Sequence, residues 1–204
     1  MFLSLFTRRG GDPHMLAVSM TGVTLGDRVA FLGAPNAARA AAIAAKVGLS
    51  GHAAAAVTDD TAVARVQKAA ANAGVLVDTV VSDLHRLPYG NAEFDVAVID
   101  DTGALLEQKD DGDRAALARE AARILRPGGR VLVLGAGEPT GLSKVLAKTH
   151  RSPLVISGAV SALLAANGFG IVRTLAEREG LVFVEGLKPR TQASRTEHSE
   201  HRRP

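Results

Sequence analysis

The sequence contains no cysteine and no tryptophan, and aromatic residues account for only 3% of its 204 residues. Without cysteine, the protein has no disulfide, no iron–sulfur cluster, no cysteine-bound zinc and no thiol catalysis, and we expect a reducing, cytoplasmic location. Because hydrophobic residues still make up 47% of the chain, the core must consist of alanine and branched aliphatic side chains. This composition is typical of a single α/β domain.

Long hydrophobic runs are also missing. No stretch approaches the roughly 20 apolar residues that a transmembrane helix needs. The apolar residues 2–6 precede Arg8 and Arg9, which is the reverse of the order in a secretory signal peptide. These residues can contact a membrane surface, although we favour packing on the domain or disorder. We therefore predict no secretion and no transmembrane segment.

An excess of charge of one sign is confined to the end of the chain. Residues 188–204 contain five Lys/Arg and two Glu, which equals the net charge of +3 for the whole sequence. A basic face for nucleic acid requires Lys and Arg clustered on folded elements, and the rest of the chain is electrically balanced. We predict no nucleic-acid partner. Because this segment is polar and lacks periodicity, we also predict that it is a disordered tail.

What the chain does have is a regular alternation of two patterns. Short apolar runs predict strands at 28–33, 52–58, 75–82, 94–99 and 130–134, and helical periodicity predicts helices at 37–47, 61–73 and 114–125. Strands that alternate with helices form crossover units and a parallel sheet covered on both faces. A helix at 155–167 and strands at 170–175 and 181–186 follow, and the charged turn 177–180 between these strands predicts an antiparallel hairpin.

Several of the predicted strands end in residues that suit a binding site. In an open parallel sheet, ligands bind outside the carboxyl ends of the strands. The residues that follow these ends are Gly33, Asp59, Asp60, Asp83, Asp100 and Asp101. Carboxylates accept hydrogen bonds from hydroxyl and amino groups. The pattern therefore favours a ligand with a ribose, an exocyclic amine and a cationic centre over a phosphate-rich one.

Four segments together resemble a known family. They are residues 26–33 (GDRVAFLG), 83–88 (DLHRLP), 94–100 (FDVAVID) and 122–134 (ARILRPGGRVLVL). With the predicted terminal hairpin, their order and spacing resemble the class I S-adenosylmethionine (SAM)-dependent methyltransferases that act on quinone precursors and other small molecules. The resemblance covers residues 20–188. It implies a Rossmann-like, mostly parallel seven-stranded sheet over residues 21–187, preceded by a lead segment (1–20), and SAM as the cofactor.

The same resemblance suggests roles for individual residues. Gly33 and Ala34 would lie at the amino and carboxylate groups of SAM. Asp59 and Asp60 would accept from the ribose hydroxyls, although capping of the following helix also explains them. Asp83 would receive the adenine amine and Leu84 would contact the ring. A solvated aspartate at the end of a strand is the alternative for Asp83.

Asp100 and Asp101 are the candidate catalytic residues. They occupy the place where the methyl donor meets its acceptor, so one of them is expected to orient the substrate or take its proton. An Asp-Asp-Thr turn explains the pair equally well. His85 and His150 have no helical His/Glu spacing and no partner triad, so we interpret them as surface or loop residues and predict no metal.

The glycine turn departs from the family pattern. The place of the family's acid in the first strand is taken by Phe31, and the three glycine places read Gly33, Pro35 and Ala37. Proline removes a backbone donor and a Cβ adds bulk where the backbone should approach the ligand. In addition, the helix register places Val57 or Thr58 where the family's ribose acid is expected. The SAM-binding motif is thus degenerate.

Two functions of different classes remain open. The leading hypothesis is a SAM-dependent methyltransferase that acts on a small molecule, in a site that is open or completed by a homo-oligomer or partner subunit. The alternative is a non-catalytic methyltransferase-like interaction module or partner subunit with an impaired SAM site. A nicotinamide-dependent oxidoreductase is disfavoured because residues 33–38 (GAPNAA) lack the second and third glycines of its fingerprint.

Overall fold

The computed structural model describes residues 13–137 and 151–190. The elements, in chain order, are α1 (Met15–Thr21), β1 (Arg28–Leu32), α2 (Ala37–Ala44), β2 (His52–Val57), α3 (Asp60–Ala73), β3 (Asp78–Val81), β4 (Phe94–Asp100), α4 (Asp111–Ile124), β5 (Leu125–Ala136), α5 (Pro153–Ile156), α6 (Ala159–Ala166), β6 (Ile171–Arg178) and β7 (Leu181–Leu187). The first twelve residues of the predicted lead segment lie outside the described residues. So do His150 and the predicted tail from residue 191 onward.

The described strands form one sheet in the order β3-β2-β1-β4-β5-β7-β6. The strands from β3 through β5 in this order are parallel, whereas β7 is antiparallel to both β5 and β6. This arrangement confirms the predicted mostly parallel seven-stranded sheet with a terminal antiparallel pair. From β1 the chain runs outward through β2 to β3 and then returns to β4 on the other side of β1. The strand order therefore reverses between β1 and β4, which is where open α/β sheets bind ligands.

The central strands are apolar on both faces because helices cover both. In β1, Val29 and Phe31 pack on the face covered by α2 and α3, and Ala30 and Leu32 pack on the opposite face. All four side chains are buried. Successive side chains of a strand point to opposite faces, so a strand that is covered on both sides is a continuous hydrophobic run.

The structure differs from the prediction at the helix expected over 155–167. It forms two short helices, α5 and α6, separated by Ser157 and Gly158. Gly158 has φ 80°, a left-handed conformation that the helix cannot continue through and that glycine adopts without steric cost. The prediction of one continuous helix was therefore wrong. Apolar periodicity on both sides of Gly158 concealed the break.

The terminal hairpin is tighter than predicted. Strands β6 and β7 extend to Arg178 and from Leu181, so that only Glu179 and Gly180 remain between them. Both residues have positive φ, 55° and 73°, as the two central residues of a type I′ turn require. Of residues 177–180, which were predicted to form the turn, the first two therefore belong to β6.

Candidate functional site

The turn after β1 forms one wall of the candidate site. Gly33 has φ 75° and its backbone N–H donates to the carbonyl of Ala56 at 2.8 Å. The Asn36 side chain then accepts from the backbone N–H of Arg39 at 3.0 Å and caps the start of α2. A Cβ at Gly33 would lie 2.9 Å from Leu105 Cδ2. Glycine suits this position because of its left-handed backbone conformation, since an added Cβ would meet only the end of the flexible Leu105 side chain.

A cavity of about 250 Å³ opens beside this turn. It lies at the carboxyl ends of β1 and β2 and reaches the loop between β4 and α4. Its lining residues are Gly33, Ala34, Pro35, Val57, Thr58, Ala62, Arg65, Gly103, Leu105 and Gln108. The fold thus brings the two predicted residues of the glycine turn together with the position where the ribose acid was expected. A guanidinium group, and no carboxylate, lines that part of the cavity.

A buried ion pair joins α2 to the end of β4, where the strand order reverses. Arg39 Nη1 lies 2.8 Å from Asp100 Oδ2, and the two side chains are only 11% and 7% exposed. The backbone N–H and the hydroxyl of Thr102 donate to Asp100 Oδ1 at 3.0 and 2.6 Å. Beside this pair the two loops touch, since a Cβ at Gly103 would lie 2.6 Å from the Cβ of Pro35. Sequence reasoning missed Arg39, because nothing in the sequence indicates a partner 61 residues away.

Asp101 lies in surroundings quite different from those of Asp100. Its side chain is fully buried, and its Oδ1 accepts from the backbone N–H of Leu106 at 2.7 Å. The hydroxyl of Ser152 donates to the Asp101 carbonyl at 2.9 Å. Burial, with the neighbouring carboxyl of Glu107, raises the pKa of Asp101 to about 7. Neither of the two predicted catalytic aspartates lines the cavity described above.

The structure gives Asp59 a capping role at the start of α3. Its Oδ1 accepts from the backbone N–H of Ala62 at 2.8 Å, and this hydrogen bond lowers the pKa of Asp59. Asp60 is the exposed first residue of the helix. Val57 and Thr58, rather than either carboxylate, reach the cavity. The helix register had predicted this placement.

Asp83 and Leu84 point in opposite directions. Asp83 is exposed, and its Oδ1 accepts from the backbone N–H of His85 at 2.9 Å, which lowers the pKa of Asp83. Leu84 is fully buried in the hydrophobic core and has φ 69°. Positive φ is uncommon for a residue other than glycine, and such outliers cluster at functional sites. His85 has a partner that the sequence did not reveal, since its Nε2 lies 3.2 Å from a carboxylate oxygen of Asp113.

Residues 13–137 and 151–190 contain neither a cluster of metal ligands nor a membrane-spanning helix. Within these ranges, no group of three or more His, Asp or Glu side chains is arranged to hold a metal ion. Among the same residues, no helix has the length and apolar character needed to cross a membrane.

Comparison with known proteins adds to this geometry. A family model described as "Methyltransferase domain" matches residues 32–133, from the end of β1 into β5. No curated protein matches the chain. A SAM-dependent methyltransferase from Aquifex aeolicus is similar in structure with a TM-score of 0.67 at 15% identity, over 86% of this chain and 89% of that one.

Two further solved structures share the fold. The YcgJ protein from Bacillus subtilis has a TM-score of 0.62 at 15% identity, over 86% of this chain and 97% of that one. The [4+2]-cyclase SpnF has a TM-score of 0.65 at 17% identity, over 87% of this chain and 80% of that one. Similarity at these identities establishes the fold, and the family match spans half of the sequence. The chain therefore belongs to the class I SAM-dependent methyltransferase family, whose cofactor is S-adenosylmethionine.

Proposed function

We propose that this protein is a SAM-dependent methyltransferase that acts on a small-molecule acceptor. The observation that carries the proposal is the cavity at the carboxyl ends of β1 and β2, beside the reversal of strand order, in a chain of this family. Ligands of open α/β sheets bind at this position.

The dimensions of the cleft fit SAM in part. Its volume of about 250 Å³ lies just below the roughly 300–1,000 Å³ of typical ligand pockets. The two loops beside the cavity approach each other closely. A Cβ at Gly33 would collide with Leu105, and a Cβ at Gly103 would collide with Pro35. We assign the nucleoside of SAM to this cavity. The remainder of SAM requires the Leu105 side chain, which is flexible and half-buried, to turn aside.

Our assignment of the binding residues follows the order of the strands. Gly33 and Ala34 would hold the amino-acid end of SAM. Thr58, which lines the cavity, would hold the ribose together with the carboxylates of Asp59 and Asp60, which follow it directly but do not line the cavity in the free protein. Carboxylate and hydroxyl oxygens accept hydrogen bonds from ribose hydroxyls, which supports this part of the assignment.

The adenine would lie between β3 and β4. The exposed carboxylate of Asp83 is available to accept from the adenine amine, and its lowered pKa keeps it ionised. Because the Leu84 side chain is buried in the core, any contact of this residue with the adenine would come from its backbone.

When bound, SAM supplies an electrophilic methyl group on its sulfonium. What the protein must contribute is positioning and the exclusion of water. Among the two candidate catalytic residues, Asp100 is engaged with Arg39, whereas Asp101 has a pKa of about 7. A carboxyl group that titrates near neutral pH is suited to hold or release an acceptor proton. Asp101 is fully buried and lies outside the lining of the cavity, so its raised pKa does not bring it into contact with an acceptor, and we assign proton transfer to neither aspartate.

The proposal of a small-molecule acceptor rests on charge. Residues 1–187 are balanced, so the body of the protein lacks the excess of Lys and Arg with which nucleic-acid enzymes neutralise phosphates.

The alternative is a non-catalytic methyltransferase-like module or partner subunit. One observation favours it: the close approach of Pro35 to Gly103 and of Leu105 to Gly33 narrows the cavity. SpnF, which shares the fold, is a [4+2]-cyclase, so the fold alone does not specify methyl transfer. One fold hosts different functions. Binding of the cofactor separates the two candidates.

The deciding experiment is calorimetric titration of the purified protein with SAM and with S-adenosylhomocysteine. Micromolar binding that weakens in Asp83→Ala, but not in Asp78→Ala at the opposite end of β3, supports the proposal. A folded protein that gives no heat with either ligand at millimolar concentration contradicts it and leaves the non-catalytic alternative.

A further inference from the structure

The Arg39–Asp100 ion pair lies beside the glycine turn, at the end of the sheet where we expect the amino-acid end of the cofactor, although neither side chain lines the cavity in the free protein. Arg39 belongs to the first turn of α2, which follows the glycine turn directly, and Asp100 is the last residue of β4. We propose that these two side chains bind the amino-acid end of SAM, with Arg39 on its carboxylate and Asp100 on its ammonium. In the free protein they pair with each other. This inference rests on the function proposed above.

The departures in the glycine turn create the need for such a receptor. Pro35 has no N–H to donate, and Phe31, whose side chain is buried in the core, stands where the family has an acid. The turn therefore offers fewer partners to a zwitterion than the family pattern does. Arg39 and Asp100 supply one charge of each sign at the same end of the sheet, with 2.8 Å between Nη1 of the arginine and Oδ2 of the aspartate.

The hydrogen bonding of Arg39 is incomplete in the free protein. Its Nη1 donates to Asp100 and lies 3.3 Å from the Thr102 hydroxyl. Its Nε is buried and has no hydrogen-bond partner in the described part of the chain. A guanidinium has five donors in a planar fork that matches a carboxylate. A ligand carboxylate would therefore give the buried Nε a partner that the protein does not provide.

Asp100 is held in place independently of Arg39. Its Oδ1 accepts two hydrogen bonds from Thr102, so that only Oδ2 depends on the arginine. If Arg39 turns to a ligand carboxylate, Oδ2 becomes available to an ammonium group while the carboxylate keeps its orientation. Both charges of the ligand and both of the protein are then paired. The exchange leaves no buried charge uncompensated, which is the condition for burying ions at all.

The exchange predicts discrimination between two nucleosides. S-adenosylhomocysteine carries the amino-acid end, and 5′-methylthioadenosine shares the adenosine and sulfur but lacks it. We would titrate both ligands by calorimetry into the wild type, Arg39→Met, Asp100→Asn and the double variant. Arg65→Met is the matched control, because Arg65 also lines the cavity but lies outside the ion pair.

We expect Arg39→Met to weaken the binding of S-adenosylhomocysteine by roughly tenfold or more, because it removes a charge-assisted hydrogen bond. The affinity for 5′-methylthioadenosine should change by less than about threefold. The double variant contains no unpaired buried charge. It therefore keeps the test valid if a single variant unfolds, and circular dichroism and thermal melting check the fold of each protein. In the folded double variant, the preference for S-adenosylhomocysteine is expected to disappear.

If the variants weaken the binding of both ligands equally, or keep the wild-type preference for S-adenosylhomocysteine, the inference is overturned and the ion pair is purely structural. These outcomes differ from failure of the proposed function. If the wild type binds neither nucleoside, both proposals fall. If it binds S-adenosylhomocysteine and the variants keep their preference, only the role of Arg39 and Asp100 is lost.

Discussion

Asp100 is the last residue of β4 and Asp101 follows it directly, yet the two side chains have opposite surroundings. The carboxylate of Asp100 faces a guanidinium, whereas that of Asp101 is buried beside Glu107. The sequence predicted that both residues would lie at the carboxyl end of β4, because a buried strand precedes them. It could not assign their partners. Arg39 and Glu107 belong to a helix and a loop whose packing only the folded chain determines.

The raised pKa of Asp101 makes the stability of the protein depend on pH. Between the ordinary carboxyl pKa of about 4 and the folded value of about 7, the folded protein holds a proton that the unfolded chain has released. The free energy of unfolding therefore falls as pH rises through this window and levels off above it. The loss is at most about 4 kcal/mol.

Asp101→Asn should abolish most of this pH dependence. The amide oxygen still accepts from Leu106, and the amide N–H donates to Glu107 as a protonated carboxyl does. We expect the variant to resemble the wild type at pH 4, where this window begins, and to exceed its stability at pH 8, measured by urea unfolding. Asp111→Asn, at a side chain that is 98% exposed, serves as the control. Parallel curves for the wild type and Asp101→Asn would contradict the assignment.

The end of helix α3 explains one difference between the predicted and the observed strands. The run 75–82 predicted a strand, but β3 begins only at Asp78. The preceding residues complete the end of α3: Gly74 has φ 67°, and the backbone N–H of Val75 donates to the carbonyl of Ala70 at 3.0 Å. This is a Schellman motif. β-branched residues that serve a helix end look the same in sequence as the start of a strand.

Two substitutions of Asp59, at the start of α3, distinguish a role as helix cap from a role in ribose binding. Asp59→Ala should lower the free energy of unfolding by about 1 kcal/mol, because Ala62 loses its acceptor. Asp59→Ser keeps a capping oxygen and should retain that stability, but it lacks the carboxylate that we assign to the ribose. We expect calorimetry to give several-fold weaker binding of S-adenosylhomocysteine to both variants. If Asp59→Ser binds as the wild type does, Asp59 is only a cap.

The β6–β7 hairpin is open to stabilisation. Glu179 adopts φ 55°, which costs a residue other than glycine or asparagine roughly 1 kcal/mol. Glu179→Asn gives the Asn-Gly pair that type I′ turns prefer, and we expect a gain of about 0.5 kcal/mol and a higher melting temperature. Gly180→Ala is the opposite case: nothing lies within 4 Å of the added Cβ, so its destabilisation comes from the backbone alone. A stable Gly180→Ala variant would argue against this turn.

At the scale of the whole molecule, the sequence predicted the topology better than the site. Buried strands that alternate with helices and end in a hairpin leave few ways to arrange the sheet, and the observed order is one of them. The width of the cleft was not predictable in the same way. It depends on the contact of Pro35 with Gly103 and of Leu105 with Gly33, between loops that are far apart in sequence.

Binding of the cofactor must also stabilise the whole protein if the proposed function is correct. A ligand that binds only the folded state adds RT ln(1 + [L]/Kd) to the free energy of unfolding, about 2.7 kcal/mol at a hundredfold excess over Kd. For a chain of this size, each kcal/mol raises the melting temperature by roughly 2–4 °C. SAM should therefore raise Tm by several degrees, with a logarithmic dependence on concentration, in differential scanning calorimetry. A non-catalytic module with an impaired site predicts a Tm that does not change with SAM, because the cleft would remain closed by its own side chains at every concentration.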